Sequence, residues 1–474
     1  MRHLSGFGKS LPLAYLLCLC VPIKAQEESD KLLPPPLLLF RAEEQYDYLQ
    51  KTSRDQYKEG FLDGLKFIPL NINETSFLSI GGSYRARVEH FTNRDYTPED
   101  ERFYSQRLSI HASLHIGAKL RVFGELYHGF TSGEERFIES DDIDLHQGFL
   151  EWKVLTTSKG SIDLRLGRQE IGYGVSRLVG IREGPNIRRS FDLAKLVLRK
   201  GPSSINLLYG KEVNNGFEAF DNVSNLFDQD AANPQLWGVY TSLKTTQSDR
   251  AVDLYYLGFR SVQARFNDVV GEEVRHSIGI RSYGHFNRFG FNTELTYQFG
   301  ELGASSISAF NFETDWTYLL QESGWRPELG IRLDWSSGDQ ELADGKLNTF
   351  NPLFVNPAIY SLAAVNTPAN LLSFHPNLTV VPSEGLSIYI DYALFFRANS
   401  TDGLYAPARF LLRESMGSDE RHIGDVIGLQ LQYEFNRNIS FDLRSSYFFA
   451  GRFLEITGEF ENTFYIAPTL NFKL

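Results

Sequence analysis

Residues 167–192 read GRQEIGYGVSRLVGIREGPNIRRSFD and put Arg168, Arg177, Arg182, Arg188 and Arg189 in one connection with Glu170. Guanidinium groups match carboxylates bidentately and stay charged at any physiological pH. The glycines of the same stretch supply backbone that turns sharply or lets a ligand come close. Three chemistries fit: a catalytic loop, a nucleotide loop, or the cationic lining of a passage. GYGVSR (172–177) has Arg177 where a dinucleotide turn needs its third glycine, and no helix follows a buried strand. Its GYG echo of a potassium filter lacks the four helical subunits that such a filter requires. His111 and His115 stand four apart within an alternating strand pattern, which fits polar lining better than a metal pair. SGDQELADG (337–345) has acids and glycines but not the ordered ligand spacing of a calcium loop. No nucleophile elbow and no HExxH are present. The expectation is a protein that is not an enzyme, with no catalytic residue, no metal ligand and no cofactor.

The elements around this connection have period two. In LSIGGSYRARVEHF (78–91), Leu78, Ile80, Tyr84, Ala86 and Val88 alternate with Ser83, Arg85, Arg87 and Glu89. RLSIHASLHIG, FNTELTYQF, LSIYIDYALFF, IGLQLQYEF and ISFDLRSSYFF behave alike, and about 18 such segments can be drawn. Short connections (117–119, 156–160, 201–203, 245–250, 436–438) take turns with long ones, with one exception near 300–304. Sorting of loop length by parity is expected of an outer-membrane barrel, with short periplasmic turns and long external loops. A soluble sandwich has no reason for it. The predicted fold is therefore all-β: a transmembrane antiparallel up-and-down β-barrel of about 18 strands. PTLNFKL at the chain end supplies the alternating strand that closes it, since lipid tolerates no open edge.

Composition agrees. Mean hydropathy is -0.27, as a barrel of alternating faces gives, and both cysteines, Cys18 and Cys20, lie in the first 25 residues. Those residues have a basic start, a short apolar run and Ala25 before QEESD, the layout of a secretory signal peptide. The chain divides into a signal peptide (1–25), a partly helical, polar periplasmic segment that folds against the barrel mouth (26–76), and the barrel (77–474). The mature protein then has no thiol or disulfide chemistry. A net charge of -12 argues against nucleic acid as a partner. Outer-membrane lipid is the expected surroundings, in a Gram-negative bacterium.

Giving the apolar parity to lipid leaves the other to the lumen. The inferred pore-lining cations are Arg85, Arg87, Arg107, Arg121, Arg165, Lys195, Arg199, Arg275, Arg281, Arg332, Arg397 and Arg444, with Lys153 and Lys473 on the same parity. The acids Glu89, Glu125, Glu151, Asp163, Asp253, Glu294, Asp334, Asp391, Glu434 and Asp442 are fewer. An excess of Arg and Lys favours anions; cross-strand pairing that merely fills the interior is the alternative. Arg168 shares the parity of Leu164 and Leu166, which would aim it at lipid, so the strand has reached the rim there or bulges. Arg177, Arg182, Arg188 and Arg189, with Glu170, are expected in an external loop that turns back and narrows the channel.

The chain resembles the alginate export family of outer-membrane barrels. DDIDLHQGFLEW, the GRQE stretch, and LNTFNPLFVNPAIYS followed by NLLSFHPNL carry the resemblance, supported by ELTYQFG and the EEQYDYL leader. It implies a monomeric barrel with an arginine-rich constriction passing an anionic polysaccharide or oligosaccharide, pore loops that gate, and periplasmic export partners. For the GRQE stretch it implies a pore-associated element. The periplasmic turns here are short, so a long periplasmic gating loop is not expected. Two alternatives stand beside it: a general solute porin, and a non-conducting barrel acting as an adhesin or a lipid- or glycan-modifying enzyme.

Overall fold

The period-two segments fold as strands. The computed structural model describes residues 31–474 except 52, 59, 134–137, 229–230, 361–365 and 408–410, so the signal segment 1–25 lies outside the described residues. Eighteen long strands form the wall. They are β1 Phe77–Thr92, β2 Glu101–Ile116, β3 Leu120–Ser132, β4 Asp141–Thr157, β5 Gly160–Gln169 and β6 Phe191–Lys200. Next come β7 Ser203–Glu212, β8 Gln235–Thr245, β9 Ser248–Phe266, β10 Val269–Phe286, β11 Phe289–Leu302 and β12 Ser305–Leu319. The last are β13 Glu328–Ser336, β14 Leu371–Ser383, β15 Leu386–Arg397, β16 His422–Asn436, β17 Ile439–Ala450 and β18 Thr463–Lys473. Each pairs antiparallel with the next, and β18 pairs back to β1, with Ser83 opposite Lys473 and Thr92 opposite Phe464. The sheet is closed, which leaves no unpaired backbone edge for lipid to meet.

Parity sorts the side chains as alternation requires. On β2, Leu108 and Ile110 face outward at 43% and 55% exposure, while Ser109 and His111 are buried inside at 1% and 3%. Most connections at one end are two or three residues long, and those at the other are mostly long. The long end has two short turns, at 267–268 and 303–304, where the sequence led us to expect only the second. Asn267 takes a left-handed φ of 49°, so Asn267-Asp268 closes a tight hairpin that the surrounding polar residues disguise as loop.

The long loops fold into the barrel rather than away from it. Ile171, Leu178 and Val179 from 170–190 and Phe350, Leu353 and Phe354 from 337–370 form one apolar cluster. The cluster packs on inward residues of β6 to β9, such as Phe191, Leu193, Leu208, Tyr240 and Phe259. Inward parity is thus not polar throughout. On β6 it reads Phe191, Leu193, Lys195, Val197 and Arg199 from the loop end to the short-turn end. Hydrophobic burial against loops sets the upper half, and charge occupies the lower half.

Residues 31–69 enter from the short-turn end. They make short helical turns and a two-residue strand, Ile68–Pro69, on the start of β1. Arg41 Nη2 and Lys66 Nζ donate to the carbonyl of Leu474 at 2.5 and 2.7 Å, which ties this strap to the closing strand. The strap spans the lumen mouth to β3, where Arg121 Nη1 donates to Ala42 O at 2.7 Å.

Candidate functional site

Loop 170–190 crosses the lumen and is held at both sides. On the β1–β2 side, Arg85 donates to the carbonyls of Glu183 and Pro185 at 2.9 Å and to Asn186 Oδ1 at 3.0 Å. Arg87 donates to Gly184 O at 2.6 Å, and Arg107 to the Glu183 carboxylate at 2.7 Å. On the opposite side, Arg177 reaches the β12 wall, pairing with Glu313 and, at 2.5 Å, with Asp315. Gly174 has φ 59°, a left-handed turn suited to glycine, and follows Tyr173, which stacks on Tyr240 of β8 at 4.4 Å. Val179 forms a parallel bridge with Phe354, joining this loop to 337–370. Glu183 is the electrostatic centre. Against the burial that would raise it, Arg107, Arg188 and Arg85 hold its carboxyl well below the usual range.

Below the loop, β3 to β6 carry cations at matching height. Register sets Arg121 opposite Glu151, Glu151 opposite Arg165, and Arg165 opposite Lys195. Two cavities lie here. One, of about 660 Å³ at the short-turn end, is lined by Glu43, Arg121, Lys153, Asp163, Arg165 and Arg199. The other, of about 330 Å³ under the loop, is lined by Phe40, Glu43, Tyr173, Lys195, Arg199 and Arg281. Glu43 and Arg199 belong to both. Glu43 Oε1 is 2.7 Å from Arg165 Nη1. Burial raises its pKa, but Arg165, Lys195 and Arg121 outweigh that and hold it at about 2.

The cations inferred from parity divide by what they hold. Arg85, Arg87, Arg107, Arg275, Arg332 and Arg397 bind loop backbone. Arg275 donates to Thr349 O at 3.1 Å, Arg332 to Ile359 O, and Arg397 to the carbonyls of Ser400 and Asp402 at 2.8 Å. Arg199, Arg281 and Arg444 pair with Asp163, Asp253 and Asp442 on the wall. Arg121 and Arg165 hold the strap. Lys153 and Lys195 have no ion-pair partner among the described residues, although both line cavities. Pairing across strands and to loops is therefore extensive; of the inferred set, Lys153 on β4, Lys195 on β6 and Lys473 on β18 have no ion-pair partner among the described residues, and the first two line the cavities.

The GRQE stretch is split. Glu170 is buried, with its carboxylate 2.9 Å from His146 Nε2 and 3.5 Å from Arg188. Arg188 also pairs with Glu183 and donates to Leu39 O of the strap at 3.3 Å. Arg189 pairs with Glu212 and donates to Phe354 O at 2.7 Å; Arg182 donates to Ile187 O at 3.2 Å. Arg168 stands apart from the lumen. It keeps the outward parity, pairs with Asp192 at 2.9 Å and donates to Leu145 O and Asn222 O. The β4–β5 register runs unbroken through Gly167 and Arg168, so the rim rather than a bulge accommodates it.

Glu43, Glu183, Glu313 and Asp315 escaped the sequence reading. Glu43 and Glu183 lie outside strands, where parity says nothing. Glu313 and Asp315 are inward on β12, but its inward set begins Ile307 and Ala309 while Ser306 and Ser308 face out, which hides the parity. A carboxylate cluster also went unnoticed: Asp141, Asp144 and Asp221 have oxygens within 4.8 Å of one another at the long-loop end. Asn222 already donates to Asp141 and Asp144, and Arg168 lies 3.8 Å from Asp144.

A closed, lipid-faced antiparallel barrel with a charged interior and infolded loops is an outer-membrane channel. The chain matches the alginate export family over residues 76–466, and it belongs to that family. No curated protein matches it. Among solved structures it is similar in fold to Pseudomonas aeruginosa OpdO, with 12% identity and a TM-score of 0.55, over 83% of this chain and 97% of that one. OccK2 (OpdF) of the same organism, in complex with glucuronate, gives 12% identity and a TM-score of 0.53 over 83% and 98%. OpdK with vanillate gives 11% and 0.55 over the same shares.

Proposed function

We propose that this outer-membrane channel passes an anionic, alginate-like polysaccharide or oligosaccharide through a cationic lumen, with no cofactor. The observation that carries the reading is the cluster of cations on four adjacent strands around the two cavities. Arg121, Lys153, Arg165, Lys195 and Arg199 come together there, and two of them, Lys153 and Lys195, have no ion-pair partner among the described residues. Uronate carboxylates would exchange water for guanidinium and ammonium donors at that height. A fold neighbour that holds glucuronate, a uronate, supports the same cargo class. In this reading the channel is a monomer in lipid, the 26–76 segment is its periplasmic part, and export partners deliver cargo there.

Reversal potentials in planar bilayers test it. Anion selectivity is expected, and Arg107→Glu with Arg165→Glu should move the reversal potential toward cations. Cation selectivity of the native protein would overturn the reading. The second reading, a general solute porin, is favoured by the fold shared with the OccK and Opd structures. It predicts that uronate oligomers block current no better than neutral sugars.

A further inference from the structure

Glu43 occupies an unusual position. Arg165 and Lys195 stand directly opposite each other across β5 and β6, and like charges so placed are destabilising unless an anion lies between them. From the wall, Glu151 pairs with Arg165, while Asp163 is taken by Arg199. The other carboxylate comes from outside the wall: Glu43 of the strap, 2.7 Å from Arg165. We propose that Arg165 and Lys195 form a carboxylate-binding subsite, and that Glu43 fills it as a tethered competitor which an incoming uronate carboxylate displaces. This rests on the anionic-cargo reading above.

Three features favour displacement over permanent structure. Glu43 keeps 43% of its side chain exposed while Arg165 behind it keeps 5%, so a soluble anion reaches the guanidinium by taking the place of Glu43. It lines both cavities, so its departure would join them into one path. Arg165 retains Glu151 and stays positioned when Glu43 leaves, while Lys195, without an ion-pair partner among the described residues, supplies charge for a second oxygen. The other facing-cation pair, Arg85 opposite Arg107, is a contrast. There Glu183 is joined by the carbonyls of Gly184 and Pro185 and by Asn186, so the loop takes up both terminal nitrogens of Arg85. The strap beside Glu43 is tied through Arg41 to Leu474 O, Ala42 O to Arg121, Leu39 O to Arg188, and the Phe40 ring against Gly172, and none of these ties uses the Glu43 carboxylate.

The test uses the full-length mature chain in planar bilayers, with a galacturonate tetramer and maltotetraose as probes. Glu43→Gln removes the competing charge and keeps the shape. It should lower the galacturonate concentration for half-block about tenfold, as expected when a competing bound state is removed. Block by maltotetraose should stay unchanged, and Asp55→Asn, an exposed strap acid outside both cavities, should do nothing. Adding Lys195→Ala to Glu43→Gln should erase the gain. An anion-selective channel whose galacturonate block shifts less than twofold in Glu43→Gln overturns the stand-in and leaves the cargo reading intact. Equal tightening for both sugars also overturns it, because that is simple unplugging. Cation selectivity, or native galacturonate block no better than maltotetraose block, removes the cargo reading and this inference together.

Discussion

Arg177 illustrates what a single lumen cation does here. It leaves loop 170–190 to meet Glu313 and Asp315 on the far wall, and Tyr360 of the second infolded loop donates to the same Glu313. Burial opposes its charge, yet the two carboxylates raise its pKa overall. Replacing it with Met strands Glu313 beneath the loops. The expected cost is about 3–5 kcal/mol, the usual penalty for removing one partner of a buried pair. Urea unfolding in detergent would measure it, and a loss below 1 kcal/mol would contradict the bridging role. Glu43 permits a pH prediction. Its folded pKa of about 2 lies below its ordinary 4.5, so its ionisation supports strap docking fully above 4.5 and fades as pH falls toward 2. Arg165, Lys195, Arg121 and Glu151 face it from the wall, and Arg41 and Glu44 flank it on the strap. The conductance difference between native protein and Glu43→Gln should hold constant from pH 7 to 5 and shrink only in stronger acid. A difference that vanishes between pH 7 and 5 would show that another group controls the strap.

At the scale of elements, alternation was legible and loops were not. Parity on β2 placed Arg107, Ser109 and His111 inside and Leu108 and Ile110 outside, because a pleated strand leaves no third choice. Ile110→Arg should therefore cost about 2–4 kcal/mol in bilayer refolding, as for a cation on the lipid face near midplane. Ser109→Ala, one residue away, should cost far less, and similar costs at both positions would refute the parity. Loop 170–190 was expected to turn back toward the pore from its glycines and arginines; in the fold it meets Arg85 and Arg87 of β1 and Glu313 of β12. What it touches was not legible. Arg168 remains outside at the rim, since Asp192 and the 213–234 backbone cover it there. The tight turn at 267–268 was missed because Asn and Asp read equally as loop residues.

For the whole molecule, closure is the governing constraint. β18 pairs with both β17 and β1, so it is the seam of the barrel. Deleting residues 463–474 leaves two edges unpaired in lipid and should abolish the heat-modifiable barrel band on electrophoresis. A folded band from the truncated chain would mean that β17 closes directly on β1. The closed wall also explains why the interior is crowded. Loops and strap fold inward and bury apolar residues that have no place on the lipid face.

The sequence alone determined the class: strand period, loop-length parity and an apolar face are local properties that each segment carries by itself. The candidate cations were inferred from side-chain parity, which needs no partner. Tertiary structure decided which of them are spent and which are free. Some of the pairing partners lie close in sequence, as Asp442 does to Arg444, but others are more than a hundred residues away, as Glu43 is from Arg165. The GRQE stretch could be seen as cationic from its letters. That it bridges the lumen, with Arg177 on one wall and Glu183 under Arg85 and Arg107 on the other, follows only from the closed barrel that brings those walls within reach.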